Sequence, residues 1–253
     1  MQTRLPSFII IGAQKAGTTS LYSYLGRHPD VELPANKEIH FFDNKYDRGM
    51  AWYLDQFPAG LPEGKITGEA SPYYLFHPLA AERVARECPE VRLIVLLRDP
   101  VERAYSHYMM ERRVGNEPLA TFGEALAAEP QRLQGEADRI IRGECRFNFN
   151  HQIFSYASRG LYAVQLTKWL EFFPPDRLLV LKSEEFFSHP GDVLLRVHSF
   201  LELQPCPSDN LQPENTGTYD AMEPETRQRL RDFFREDSQR LAELVGPAFS
   251  WEG

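Results

Sequence analysis

The sequence has little cysteine: its 253 residues hold three, Cys88, Cys145 and Cys206. They form an odd, widely spaced set with no metal-ligand pattern, so no metal site is expected. They read as buried small hydrophobes in a reduced compartment. Long hydrophobic runs are also missing. The longest aliphatic stretches, Phe8–Ile11 and Leu93–Leu97, have the length of strands and fall far short of a membrane span. Met1 to Pro6 carry neither the charged start nor the apolar core of a signal peptide. A cytoplasmic chain without membrane insertion is therefore expected. Basic excess is absent as well. Twenty-eight basic residues face 36 acidic ones, a net of −8, which argues against a nucleic-acid or general polyanion partner. Repeats and low-complexity segments do not occur, and nothing in the sequence signals an oligomeric state.

What is present is ordinary globular composition, 42% hydrophobic and 25% charged, in a chain long enough to bury a core. Ser7–Ile11, closed by Gly12, reads as a buried strand. A helix follows from about Thr18 to Gly26, with Leu21 and Leu25 on one face, until His28-Pro29 ends it. Lys65–Glu69 reads as a short strand and Leu79–Cys88 as a helix. Val91–Leu97 is the clearest buried strand, and Asp99-Pro100 opens the next helix, to about Arg113. Residues from about 111 to 151 mix charge with glycine and proline and read as a helical excursion near an acceptor site. An amphipathic helix over Leu161–Phe173 stops at Pro174-Pro175. Arg177–Lys182 reads as another buried strand, Asp192–Leu201 and Glu225–Val245 as helices, and Gln204–Tyr219 as a proline-rich loop. Alternating strands and helices predict an α/β fold over a single domain, residues 1–253. It is a P-loop-like three-layer arrangement with a central, mainly parallel sheet flanked by helices. In such folds ligands bind at the loops that follow the strands.

The loop after the first strand is Gly12-Ala13-Gln14-Lys15-Ala16-Gly17-Thr18-Thr19-Ser20. Its glycines let the backbone bend around an anion, and the amides of the helix start face that anion. Lys15 adds a full charge, and Thr18 and Thr19 add hydroxyl donors. The Walker pattern wants lysine directly after the second glycine, where this sequence has Thr18. No acidic residue stands at the end of the Leu93–Leu97 strand to hold magnesium, since Arg98 follows it. A nucleotide kinase or nucleotidase is thus the weaker alternative, and a non-catalytic nucleotide-binding module is a second one.

The run FIIIGAQKAGTTSL resembles the 5′-phosphosulfate loop of sulfotransferases that use 3′-phosphoadenosine 5′-phosphosulfate (PAPS), most closely the heparan sulfate branch and its bacterial relatives. By that resemblance Lys15 contacts the 5′-phosphate and bridging oxygen. Ala16, Gly17, Thr18, Thr19 and Ser20 complete the cradle. Arg98-Asp99-Pro100 through Arg103-Ala104-Tyr105-Ser106 is similar to the family's 3′-phosphate motif, which implies Arg98 and Ser106 on that phosphate. Arg103 reads as structural, and His107 as a helix-surface residue. Gly160-Leu161-Tyr162 through Pro174 resembles a further family helix, so the likeness covers nearly the whole chain.

Lys37-Glu38-Ile39-His40-Phe41-Phe42-Asp43 places ionisable groups beside a hydrophobic run. An acceptor hydroxyl must lose its proton as sulfur is attacked in line, and a carboxylate or imidazole can take it. The segment resembles the K-E-x-H-F-F stretch of the heparan branch, which implies Glu38 as base, with Lys37 and His40 lining the acceptor site. His40 stays a competing base, because the cytosolic branch uses histidine. Transfer then needs no metal: Lys15 and the loop amides stabilise the leaving phosphate of the product, adenosine 3′,5′-bisphosphate (PAP). The sequence departs from the heparan enzymes in two places. Cys206 to Tyr219 carries one cysteine and no lysine or arginine where those enzymes have a basic, disulfide-bonded loop; Asn215, Thr216 and Tyr219 are among the hydrogen-bonding groups it offers. The acidic balance favours a small glycan, a lipid-linked sugar or a carrier-bound hydroxy acid over a sulfated polysaccharide.

Overall fold

The computed structural model of the chain describes residues 5–206, 211 and 220–251. In chain order, β1 (Phe8–Gly12) leads to α1 (Thr18–Leu25), α2 (Gly49–Leu54), β2 (Gly68–Ala70), α3 (Ala80–Glu87) and β3 (Arg92–Leu97). Then come α4 (Pro100–Val114), α5 (Phe122–Leu133), α6 (Glu136–Ile141), α7 (Phe149–Ile153) and α8 (Tyr162–Leu170). The chain ends through β4 (Leu178–Lys182), α9 (Ser183–Ser188), α10 (Pro190–Phe200) and α11 (Pro224–Val245). It divides into two compact units, Met1–Leu97 with Trp169–Thr216, and Arg98–Lys168 with Gly217–Gly253.

The first unit holds a four-stranded parallel sheet in the order β2-β1-β3-β4. β1 is buried along its whole length, as its unbroken Phe-Ile-Ile-Ile run requires of a parallel strand covered on both faces. Helix α1 packs against β1 and β2, and α9 and α10 pack against β4. This is the P-loop-like α/β arrangement expected from the alternating pattern. β1 sits between β2 and β3, so the chain leaves it in one direction and later continues through β3 in the other, the topology that opens a crevice at the strand ends.

Three local readings change. The second strand lies at Gly68–Ala70 rather than over Lys65–Glu69. Ile66 makes only an isolated bridge to Val31. Glycine is required at position 68 because a Cβ there would stand 2.5 Å from the Phe8 carbonyl oxygen. β4 is not a fully buried strand: only Leu181 of its five residues is buried, since it is last in the strand order and has one neighbour. Helix α2 has no counterpart in the sequence reading; it buries Tyr53.

The second unit is helical and contains the excursion expected over about 111–151, as α5, α6 and α7. Asp99 caps α4, its carboxylate accepting from Val101 N at 2.8 Å and Glu102 N at 3.3 Å, an arrangement worth about 1 kcal/mol. Val101, Ala104, Tyr105, Tyr108, Phe122 and Phe234 form an apolar core. A polar stripe runs beside it. Arg103 is fully buried and donates to the Tyr156 carbonyl; Glu129 accepts from Ala157 N and Ser158 N. His107 belongs to this interior and not to the helix surface: it is fully buried, edge-on to Tyr156, with Nε2 3.4 Å from Glu111. Arg103, His107 and Glu111 recur every fourth residue and so share the inward face of α4.

Candidate active site

The loop after β1 is tied down by its backbone. Ala13 N donates to Leu96 O at 2.7 Å, Ala16 N donates to Ala13 O at 3.1 Å, and Ser183 Oγ at the start of α9 donates to Ala16 O at 2.5 Å. Lys15 takes φ 71 and Gly17 φ 95. A left-handed conformation at a non-glycine residue costs about 1–3 kcal/mol and gathers where surrounding structure holds it for a purpose. At Gly17 a Cβ would meet Phe187 Cζ at 2.8 Å. Gly17 is the N-cap of α1 and carries no capping side chain. Gly17 thus brings no side chain to the first-turn amides at the positive pole of the helix. Ala16, Thr18 and Ser20 are buried, Thr19 partly so. A cationic side chain, hydroxyls and helix-start amides form a donor set suited to a phosphate.

The segment from Lys37 to Asp43 stands beside this loop. Lys37 Nζ lies 3.3 Å from both Thr19 Oγ1 and Glu38 Oε1. Glu38 Oε2 is 3.0 Å from His40 Nε2, and His40 Nδ1 is 2.7 Å from Asp43 Oδ2. Burial alone would raise the Glu38 carboxyl, but the His40 hydrogen bond and the charges of Lys37 and His40 outweigh it and hold it below its ordinary value. Burial would lower His40; the hydrogen bonds and charges of Asp43 and Glu38 push it up to about 10 instead. At neutral pH the group is therefore an ionised Glu38 between two cations, with the imidazolium fixed from behind by Asp43.

The backbone of this segment is held on all sides. His40 N donates to Ser71 Oγ at 3.1 Å, and Phe41 N donates to Tyr74 Oη at 2.8 Å. Lys45 Nζ donates to Ile39 O at 2.8 Å, and Arg83 donates to the carbonyls of Phe42 and Asp43. Phe41 and Phe42 are fully buried, Phe41 stacked on Tyr53. Burial of each ring contributes roughly 1.5–3 kcal/mol, enough to hold His40 at φ 57.

Arg98 and Ser106 lie in the second unit. Arg98 directly follows the last residue of β3, and its carbonyl accepts from Tyr162 Oη at 3.0 Å. Ser106 is buried two turns into α4. Asn215, Thr216 and Tyr219 fall outside the described residues. One member of the Glu38–His40 cluster, Asp43, has no role that the sequence alone assigns: it stands three residues beyond His40, and only the fold brings its carboxylate onto the imidazole.

Loop donors of a kind suited to a phosphate, after β1, and a carboxylate tied to them through lysine stand together on the α/β scaffold of the first unit. The chain belongs to the sulfotransferase family: the sulfotransferase domain profile matches residues 5–239. It is an enzyme of that class, related to the heparan sulfate branch. Heparan sulfate glucosamine 3-O-sulfotransferase 3A1 of Homo sapiens is 32% identical over 274 residues, covering 99% of this chain and 63% of its own length. Membrane-associated sulfotransferase kil1 of Dictyostelium discoideum is 28% identical, covering 98% of this chain and 67% of its own. The chain thus spans 63% and 67% of the length of these two curated relatives. The crystal structure of a sulfotransferase from Alicyclobacillus acidocaldarius matches with a TM-score of 0.78 at 31% identity, over 96% of both chains.

Proposed function

We propose that the protein transfers a sulfuryl group from PAPS to a hydroxyl or amine of a small glycan, a lipid-linked sugar or a carrier-bound hydroxy acid, with Glu38 as general base and no metal. The observation that carries this reading is Lys37, whose ammonium stands 3.3 Å from both Thr19 of the phosphate loop and the Glu38 carboxylate. One side chain thereby couples the place for the leaving phosphate to the group that takes the proton.

The donor supplies an activated sulfuryl group on its 5′-phosphate. Lys15, Ala16, Gly17, Thr18, Thr19 and Ser20 hold that phosphate, and Arg98 and Ser106 hold the 3′-phosphate. Glu38 accepts the acceptor's proton while the acceptor oxygen or nitrogen bonds to sulfur and the bond from sulfur to the phosphate oxygen breaks. Lys15 and the loop amides take up the charge left on that oxygen. His40, held charged by Asp43, keeps Glu38 ionised and aimed, and with Lys37 lines the acceptor side. A cytoplasmic location belongs to the same proposal. The membrane-associated name of the Dictyostelium relative stands against it, and cell fractionation decides between them.

Calorimetric titration with PAP, with AMP and ATP as controls, tests the donor. Binding that needs the 3′-phosphate and collapses in Arg98→Ala is expected, as is loss of both binding and turnover in Lys15→Ala. Glu38→Gln should keep PAP affinity and lose turnover in a radiolabelled sulfuryl-transfer assay. A preference for magnesium-ATP would overturn the donor. An active Glu38→Gln beside an inactive His40→Ala would overturn the base.

A further inference from the structure

Behind the segment that carries Glu38 lies a buried carboxylate that the chemistry above does not use. Glu69, on β2, is almost inaccessible to solvent. Three hydroxyls converge on it: Tyr53 Oη at 2.8 Å and Tyr74 Oη at 3.0 Å on Oε1, and Ser71 Oγ at 2.8 Å on Oε2. Two of these hydroxyls also face the Lys37–Asp43 segment. Ser71 Oγ accepts from His40 N at 3.1 Å, and Tyr74 Oη accepts from Phe41 N at 2.8 Å and Phe42 N at 3.3 Å.

A hydroxyl has one proton and two lone pairs, and an ionised carboxylate can only accept. Each hydroxyl that gives its proton to Glu69 therefore presents lone pairs to the other side. Three consecutive amides, at His40, Phe41 and Phe42, use them. Water is excluded here, so an amide without an acceptor would bear the full cost of desolvation. The arrangement also secures His40 in its left-handed conformation, at φ 57, which puts the imidazole between Glu38 and Asp43.

We propose that Glu69 is a positioning residue for sulfuryl transfer. Its carboxylate orients the Ser71 and Tyr74 hydroxyls, and they hold the backbone of His40, Phe41 and Phe42 so that His40 and Glu38 stay aligned. The proposal rests on the reading of Glu38 as base. It requires that the segment, and not the phosphate loop, respond when Glu69 changes. Glu69→Gln has the same shape, but its amide nitrogen donates, so the hydroxyl it faces must turn its proton away and divide its lone pairs between that nitrogen and the segment, which loosens its hold on the segment amide.

The test compares the wild type, Glu69→Gln, the Ser71→Ala/Tyr74→Phe pair and the three substitutions together, assayed above neutral pH. Glu69→Gln is expected to lower kcat by about 100-fold, the scale of a misplaced catalytic group, while the acceptor KM and PAP affinity stay within about twofold. Hydrogen exchange at the His40, Phe41 and Phe42 amides should quicken at least ~10-fold, with the amides of β1 and β3 unchanged. Because Glu69 acts through the two hydroxyls, the triple variant should be no slower than the pair. An unchanged kcat, unchanged exchange at residues 40–42, or a triple variant slower than the pair by the full Glu69→Gln factor would each overturn the proposal. If Glu69→Gln fails to fold, Glu69→Asp, which keeps the charge at shorter reach, is measured in its place with the same expectations. A wild type that transfers nothing from PAPS overturns the sulfuryl-transfer reading instead. The exchange measurement then decides by itself whether Glu69 holds the segment.

Discussion

His40 is fastened to Asp43, Nδ1 to Oδ2, at 2.7 Å, and the Asp43 side chain is fully buried. This contact settles which way the imidazole faces. With Nδ1 occupied, Nε2 is the nitrogen turned to Glu38. Asp43→Asn keeps the shape and removes the charge that holds the His40 proton, so Glu38 loses a fixed cationic neighbour. A fall in kcat of about 10-fold or more is expected, with PAP affinity retained. Steady-state kinetics beside calorimetry check this, and an Asp43→Asn variant with wild-type kcat would remove Asp43 from the mechanism.

The same pair fixes the alkaline behaviour. His40 is raised to about 10 from an ordinary 6.5. A basic group whose folded value is raised gives stability that is complete below the unfolded value and is lost as pH rises through the folded one. The His40 contribution is thus whole below about 6.5 and gone above about 10. If Glu38 is the base, kcat levels off once Glu69 is ionised, above about pH 7, and drops as His40 loses its proton. A histidine base would show the reverse, a rate that rises toward about pH 10 as free imidazole forms. The pH profile of kcat therefore separates the two candidates without any substitution.

Much of this organisation is legible in the residues, and the exceptions have physical causes. β1 and β3 show themselves because unbroken apolar runs end in glycine or in Arg98-Asp99-Pro100, and Lys15, Glu38 and His40 stand out as charges in apolar company. The partial exposure of β4 comes from its place at the sheet edge, which no local pattern encodes. Helix α2 is six residues long, too short to show a period. His107 looks like a surface residue because the stripe of interior against its side of α4, shared with Arg103 and Glu111, is itself polar. Asp43 and Glu69 acquire meaning only from what folding brings against them: His40 for one, three hydroxyls for the other.

Glu69 leaves a second signature, in stability. Burial raises its carboxyl to about 7 from an ordinary 4.5, against the opposing pull of the Ser71, Tyr53 and Tyr74 hydrogen bonds. Between those values the unfolded chain gives up its proton while the folded one keeps it, so the unfolded state is favoured as pH rises. The Glu69 contribution accordingly declines from about pH 4.5 to about 7 and is level beyond. Urea denaturation across this range should show that decline in the wild type and a shallower one in Glu69→Gln. Equal slopes would mean that Glu69 titrates as an ordinary carboxylate.

Gly17 allows the phosphate loop to be tested apart from the base. Two separate obstacles face a side chain there: φ 95, and the ring of Phe187, whose Cζ would lie 2.8 Å from a new Cβ. The ring can move aside, being the far end of a side chain that is partly exposed on α9. The backbone angle cannot be relieved by any neighbour. Gly17→Ala should therefore cost about 1–2 kcal/mol of stability from the left-handed angle alone, plus the contact. Adding Phe187→Ala should return only the contact part. PAP affinity should fall in Gly17→Ala and stay low in the double variant, because the Thr18 and Thr19 amides swing with the angle at Gly17. Calorimetry on both variants measures this. Full recovery of PAP affinity in the double variant would show that crowding, and not the left-handed turn, is what glycine at this position relieves.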